Sequence, residues 1–223
     1  MRLSRFWPAV PAVLLACSPA LRADDTADFL KPDNWEGRMD LWKIEKTSIV
    51  GETKEDPKYN TFLCSKKKYS DFELSFKVTL HEAKGNSGVQ FRSTRTDKDG
   101  PDNKQPFKVA GPQADIGQQY WGSLYGEGVG GMIKASEAAA VKKVVKADGP
   151  NDYKLVAKGT KVTITINGET MVDGDFPKLP SKDPATAKQF PTDGIIAFQL
   201  HGGHPKMKVE YTDIKFTDLS KKK

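Results

Sequence analysis

The sequence predicts an all-β protein, a sandwich of antiparallel strands with one short surface helix. Two observations carry this. Runs such as Phe72-Glu73-Leu74-Ser75-Phe76-Lys77-Val78 alternate apolar and polar residues with the period of a half-buried strand. These runs are short, punctuated by Gly, Pro, Asn and Asp, and no long segment keeps a helical apolar period. With 223 residues, 37% of them hydrophobic and 29% charged, the chain is sized for one large β domain, expected over 24–223. No linker or internal repeat divides it.

The first 23 residues read as an export signal. Met1 to Arg5 carries two positive charges, "FWPAVPAVLLA" is apolar, and small residues precede Asp24-Asp25. The apolar run is shorter than the roughly 20 residues a permanent span needs, so no integral membrane span is expected. Cleavage after Ala23 is the first expectation. Leu14-Leu15-Ala16-Cys17 also resembles a lipobox, which makes a lipid anchor at Cys17 the second. Either outcome places the domain outside the cytoplasm, in the periplasm or beyond.

Removal of the signal leaves Cys64 as the single cysteine, in the strand-like "TFLCS", where a small core residue is expected rather than a nucleophile. The formal charge of +6 falls to +3 without Arg2, Arg5 and Arg22, and Lys221 to Lys223 supply part of the remainder. No basic motif interleaved with aromatics accompanies them, so no nucleic-acid partner is expected.

Along the mature chain, "FLKPDNWEGRMDLWKIEKTSIVGE" holds short β-like runs, and "TFLCSKKKYSDFELSFKVTLHE" reads as two strands around a basic turn. "NSGVQFRS" is a further strand, followed by a polar loop from Thr94 to Pro106 and short extended pieces through "FKVAGPQADIGQQYWGSLYGEGVGGM". The helix is expected over Ser136–Lys143, capped by Ser136 and ending in lysines. A meander follows, with turns at Lys158-Gly159 and Asn167-Gly168, the latter a hairpin dipeptide. "GIIAFQLH" and "KMKVEYTDIKFTDL" close the sheets.

Three strands carry unusual residues on their second face. Val89 and Phe91 alternate with Gln90 and Arg92 after Asn86; Ala114 and Ile116 alternate with Gln113 and Asp115; Phe198 and Leu200 alternate with Gln199 and His201. Solvated strand faces usually hold Lys, Thr or Glu. Amides, an arginine and a carboxylate instead offer directional hydrogen bonds to hydroxyls, as carbohydrate recognition requires. An ordinary solvated face carries comparable weight on parity alone. Tyr120, Trp121 and Tyr125, among glycines, could stack on sugar rings, with Glu127 close by.

Standard catalytic signatures are missing. No Glu-x-Asp-x-x-Glu segment supplies the carboxyl pair of a retaining glycosidase. His81, His201 and His204 form no zinc motif, so no metal or other cofactor is expected. "GVGGM" lacks what a phosphate loop needs.

Taken in order, "NSGVQFR", "GPQADIG", "WGSLYGE", "NDYKLVAKGTKVTITING" and "DGIIAFQLHGGHPKMKVEYTDIKF" resemble the 3-keto-disaccharide hydrolase family over about Phe29 to Leu219. The resemblance implies a concanavalin A-like jelly roll and a 3-keto-disaccharide or 3-keto-glycoside as partner. Two departures stand out: Pro150 replaces the family's usual tryptophan, and Gly130-Gly131 stand where an arginine is common. A ketone at C3 acidifies the C2 proton, so one base, one acid and enolate donors suffice for elimination and hydration. On that reading His201 or Asp115 is the base, while Arg92, Gln90 or Asn86 holds the enolate. Gln113, Gln199, Trp121, Tyr125 and Glu127 bind the sugar. The rival is a non-catalytic carbohydrate-binding module using the same groove; a ligand-free envelope protein is third.

Overall fold

The computed structural model describes residues 24–97 and 103–221; the expected signal 1–23, with Cys17, lies outside them. Fourteen strands run in chain order among the described residues. They are β1 (Trp35–Glu36), β2 (Trp42–Ile44), β3 (Ile49–Thr53), β4 (Thr61–Tyr69), β5 (Phe72–Leu80), β6 (Ser87–Arg95), β7 (Val109–Ile116), β8 (Leu124–Glu127), β9 (Gly131–Lys134), β10 (Asn151–Lys158), β11 (Lys161–Ile166), β12 (Glu169–Asp175), β13 (Gly194–Leu200) and β14 (Met207–Asp218). They form two antiparallel seven-stranded sheets, ordered β1-β4-β13-β6-β7-β8-β9 and β12-β11-β10-β5-β14-β3-β2. This is the expected β-sandwich of jelly-roll type.

The two sheets differ in how they meet water. In the second, Phe72, Leu74, Phe76, Val78 and Leu80 of β5 are buried, while Glu73, Ser75, Lys77 and Thr79 reach the surface. β10 and β11 alternate in the same way, so this sheet has one dry and one wet face. In the first, β6, β7 and β13 are buried almost throughout. Their inner residues Val89, Phe91, Ala114, Phe198 and Leu200 join the main core. On the outer face a second cluster of Phe62, Cys64, Val109 and Ala197 lies against Phe107 from the β6–β7 loop. Arg95 braces that loop: its guanidinium sits 4.8 Å from the Phe107 ring centre and its Nε donates to Asp97 Oδ1 at 2.8 Å. Cys64 is buried there, and burial raises its thiol pKa.

Several local expectations shift. Lys66 to Lys68 belong to β4, and the connection to β5 is at Ser70-Asp71. The helix α2 spans Ala138–Val144, behind a short N-terminal helix α1 at Thr26–Phe29. Ser136 does not cap α2; its Oγ donates instead to the Trp121 carbonyl at 2.8 Å. The Asn167-Gly168 hairpin forms as its dipeptide predicts, both residues having positive φ.

A bulge breaks the period of two where it mattered most. The register of β6 with β7 slips between Gln90 and Thr94, that of β6 with β13 slips between Ile195 and Ala197, and Arg92 adopts φ +47°. Gly194 permits it, because a Cβ there would stand 2.3 Å from the Arg92 carbonyl carbon. No helix of the described residues is long and apolar enough to cross a membrane.

Candidate functional site

A groove of about 480 Å³ opens on the outer face of the first sheet, lined by Asn86, Gln113, Asp115, Tyr120, Tyr125, Glu127, Met132 and His201. Strand register assembles it. Gln90 pairs with Gln113, Gln113 with Tyr125, and Tyr125 with Met132, giving a row across β6 to β9. Asp115 and Glu127 follow at the period of two on β7 and β8. Asn86 precedes β6, and His201 follows β13. Gly88 lets Gln113 lie flat over β6, since a Cβ there would come within 2.6 Å of the Gln113 amide carbon. A wider depression on the second sheet offers less chemistry, because its Lys77 is already paired with Asp152 and Asp213.

Beneath the groove the amides bond to one another. The Gln90 amide lies 2.7 Å from Ser93 Oγ and 3.0 Å from the Gln113 amide. Gln113 Nε2 donates to Asp115 Oδ1 (2.6 Å) and to Gln199 Oε1 (3.3 Å). Gln90 and Gln199 are fully buried, so they lie under the groove and not in it, contrary to the sequence expectation. Their parity was read correctly; the closeness of their neighbours was not. Burial pushes the Asp115 carboxyl up to about 7, with the Glu127 charge adding to the rise and the Gln113 hydrogen bond opposing it.

The rim is held by a residue that periodicity did not flag. Asn60, in the loop before β4, donates from Nδ2 to Glu127 Oε1 (3.2 Å) and accepts from the Gly202 N–H at Oδ1 (3.0 Å). It thereby ties the loop carrying His201 to the groove wall. His201 Nδ1–H donates to the Gly202 carbonyl, which leaves Nε2 with its lone pair as an acceptor. Its ring centre is 5.6 Å from that of His204, whose pKa is lowered by burial and by His201. Met132 was also unforeseen, lying on an edge strand too short to show a pattern.

Arg92 and Trp121 require correction. The bulge turns Arg92 away from the groove, and its side chain is wholly buried. Nε donates to Ser70 O (2.8 Å), Nη2 to Asp71 Oδ1 (3.0 Å), and Nη1 to Pro191 O (3.3 Å) and Gly159 O. It pins three connections together and touches no groove residue. Trp121 is 5% exposed and belongs to the core. Asn86, Tyr120 and Tyr125 keep side chains that make no hydrogen bond to protein among the described residues. No three His, Cys, Asp or Glu side chains among the described residues are grouped to hold a metal ion.

Fold and groove together define an antiparallel β-sandwich with a polar, aromatic-lined groove on the outer face of one sheet. The chain belongs to the 3-keto-alpha-glucoside-1,2-lyase-like domain family, whose pattern matches residues 26–217. Solved structures with the same fold include a provisionally assigned glycosyl hydrolase from Parabacteroides distasonis (18% identity, TM-score 0.58, 84% of this chain and 94% of that one). The carbohydrate-binding module CBM66 from Bacillus subtilis is similar at 12% identity and TM-score 0.57, over 82% of this chain and 95% of that one. So is a galectin-like protein from the same species, at 16% identity and TM-score 0.52, over 83% and 90%. No curated protein matches the chain.

Proposed function

We propose that the groove binds a neutral 3-keto-glycoside and cleaves its glycosidic bond by elimination across C1–C2. The observation that carries this reading is a carboxyl near pKa 7 sharing a groove with an imidazole whose Nε2 is free to accept. Among the described residues no lysine or arginine lines the groove, which suits an uncharged sugar.

His201 Nε2 takes the C2 proton, and the C–H electron pair forms an enolate on the C3 oxygen. The enolate collapses, restoring C3=O and forming C1=C2 as the C1–O bond breaks. Asp115, whose burial raises its carboxyl pKa to about 7, supplies the proton to the departing oxygen. The Asn86 amide and the Tyr125 hydroxyl, which line the same groove, donate to the enolate in this reading, and Tyr120 and Tyr125 stack on the ring. Water adding to C1 and a proton returning to C2 give net hydrolysis.

The domain 24–223 would be incubated with 3-keto-trehalose and with unoxidised trehalose. Release of glucose or enone from the keto-sugar alone is expected. His201→Ala should lower turnover by about 10²- to 10⁴-fold with the fold intact, since the ring stands at the rim. Saturable binding without turnover would instead assign a carbohydrate-binding module, the reading that the likeness to CBM66 favours. Export belongs to the same proposal; mass spectrometry of the purified native protein should find Asp24, or lipidated Cys17, at the N-terminus.

A further inference from the structure

Gln113 and Gln199 were expected to touch substrate, yet both are spent inside the protein, 2% and 0% exposed. Their arrangement has a property that a fixed scaffold would not need. A primary amide keeps its shape after a half-turn about its last torsion, with oxygen and nitrogen exchanged. The chain beneath Asp115 can therefore run in two directions.

In the first, every donor points towards Asp115: Ser93 to Gln90, Gln90 to Gln113, and Gln113 to the carboxylate. This suits an ionised Asp115, which can only accept. It leaves Gln199 Nε2 buried without a partner among the described residues.

In the second, Gln90 is turned. Its nitrogen then faces Ser93 Oγ at 2.7 Å and the Gly111 and Pro112 carbonyls at 3.3 Å each, and its oxygen faces the Gln113 amide at 3.0 Å. Gln113 turns with it, so its oxygen stands 2.6 Å from Asp115 and 3.3 Å from the Gln199 amide. A neutral Asp115 can donate to that oxygen. A turned Gln199 donates to it as well, so Gln199 accepts from Gln113 in one direction and donates to it in the other, with one amide atom left over in each. The second direction closes only when Asp115 carries a proton.

We propose that Gln113 and Gln199 are positioning residues whose amide chain reverses its hydrogen-bond direction as Asp115 gains or loses its proton. Asp115 is thus paired in both states, and Gln90, whose nitrogen meets the Gly111 and Pro112 carbonyls only when turned, favours the neutral one. The other titratable groups around Asp115 are Glu127 and Tyr125 on β8, Tyr120 after β7 and His201 after β13. Tyr153 of β10 donates to the Asp115 backbone carbonyl at 3.1 Å, and Tyr211 of β14 sits behind it, bonded to Ser87. Glu127 is the one whose charge acts on the carboxyl. The inference does not depend on the substrate, and its test uses none.

The carboxyl carbon of Asp115 would be followed by NMR against pH in protein labelled at aspartate side chains, assigned with Asp115→Asn. The side-chain amide resonances of Gln113 and Gln199 should move with the same midpoint as the carboxyl. Gln90→Met removes the amide contacts available only to the neutral state, so the midpoint should fall by about one unit. Gln113→Met should uncouple the Gln199 amide from the titration. An unchanged or raised midpoint in Gln90→Met would overturn the proposal, as would wild-type amides that ignore the carboxyl midpoint. The wild-type titration decides the matter alone if either variant fails to fold.

Discussion

Asp115 is a carboxyl that the fold keeps partly against its chemistry. Its folded pKa, about 7, lies above the ordinary value of 3.8 because the site is desolvated. The folded state therefore holds the proton more tightly than the unfolded chain does. The contribution of Asp115 to stability should be largest below about pH 4, decline as pH rises towards 7, and stay lowered above it. The upper bound on that loss is on the order of 4 kcal/mol, at about 1.4 kcal/mol per pKa unit. Asp115→Asn should thus melt later than the wild type at pH 8 and gain nothing at pH 4, a comparison that thermal unfolding at the two pH values would make. Arg92 presents the opposite case. Its removal strands three backbone carbonyls and one carboxylate, so Arg92→Ala should cost about 3–5 kcal/mol in denaturant unfolding. Turnover per folded molecule should be unchanged. Arg92→Lys should not restore stability, since one ammonium cannot reproduce the guanidinium's spread of donors.

The strands were legible wherever alternation was regular, and β5 and β11 needed nothing beyond it. The second face of β7 was read rightly too, because Gln113 and Asp115 sit on an unbroken stretch aimed at the groove. β6 defeated the same logic two residues past Gln90. A bulge leaves no composition signal of its own, and its enabling residue, Gly194, lies about a hundred positions away on the partner strand. Asn60 and Met132 escaped for a related reason: a loop and a four-residue edge strand carry no period. Which polar positions would be covered was also hidden, since that depends on amides packed side by side from three strands. Gly194→Ala tests the bulge directly. Its Cβ would collide with the Arg92 and Ser93 backbone, so unfolding should become easier by several kcal/mol and the Arg92 clamp should be lost with it.

At the scale of the molecule, the sandwich treats its two ends differently. Where β6 finishes and β13 begins, Arg92 fastens the β4–β5, β10–β11 and pre-β13 connections into one knot. At the other end, where β6 begins and β13 finishes, the loop around His201 is tied through Asn60, with Asp56 Oδ1 accepting from the Gly203 N–H at 2.8 Å. Those bonds are few and reach solvent. Amide hydrogen exchange should reveal the difference as a gradient along single strands. Protons near Phe91 and Ile196 should exchange only when the whole protein unfolds, whereas those at Gly202 and Gly203 should exchange through small local openings. The protein would then breathe at the end that carries the His201 rim of the groove and stay shut at the other.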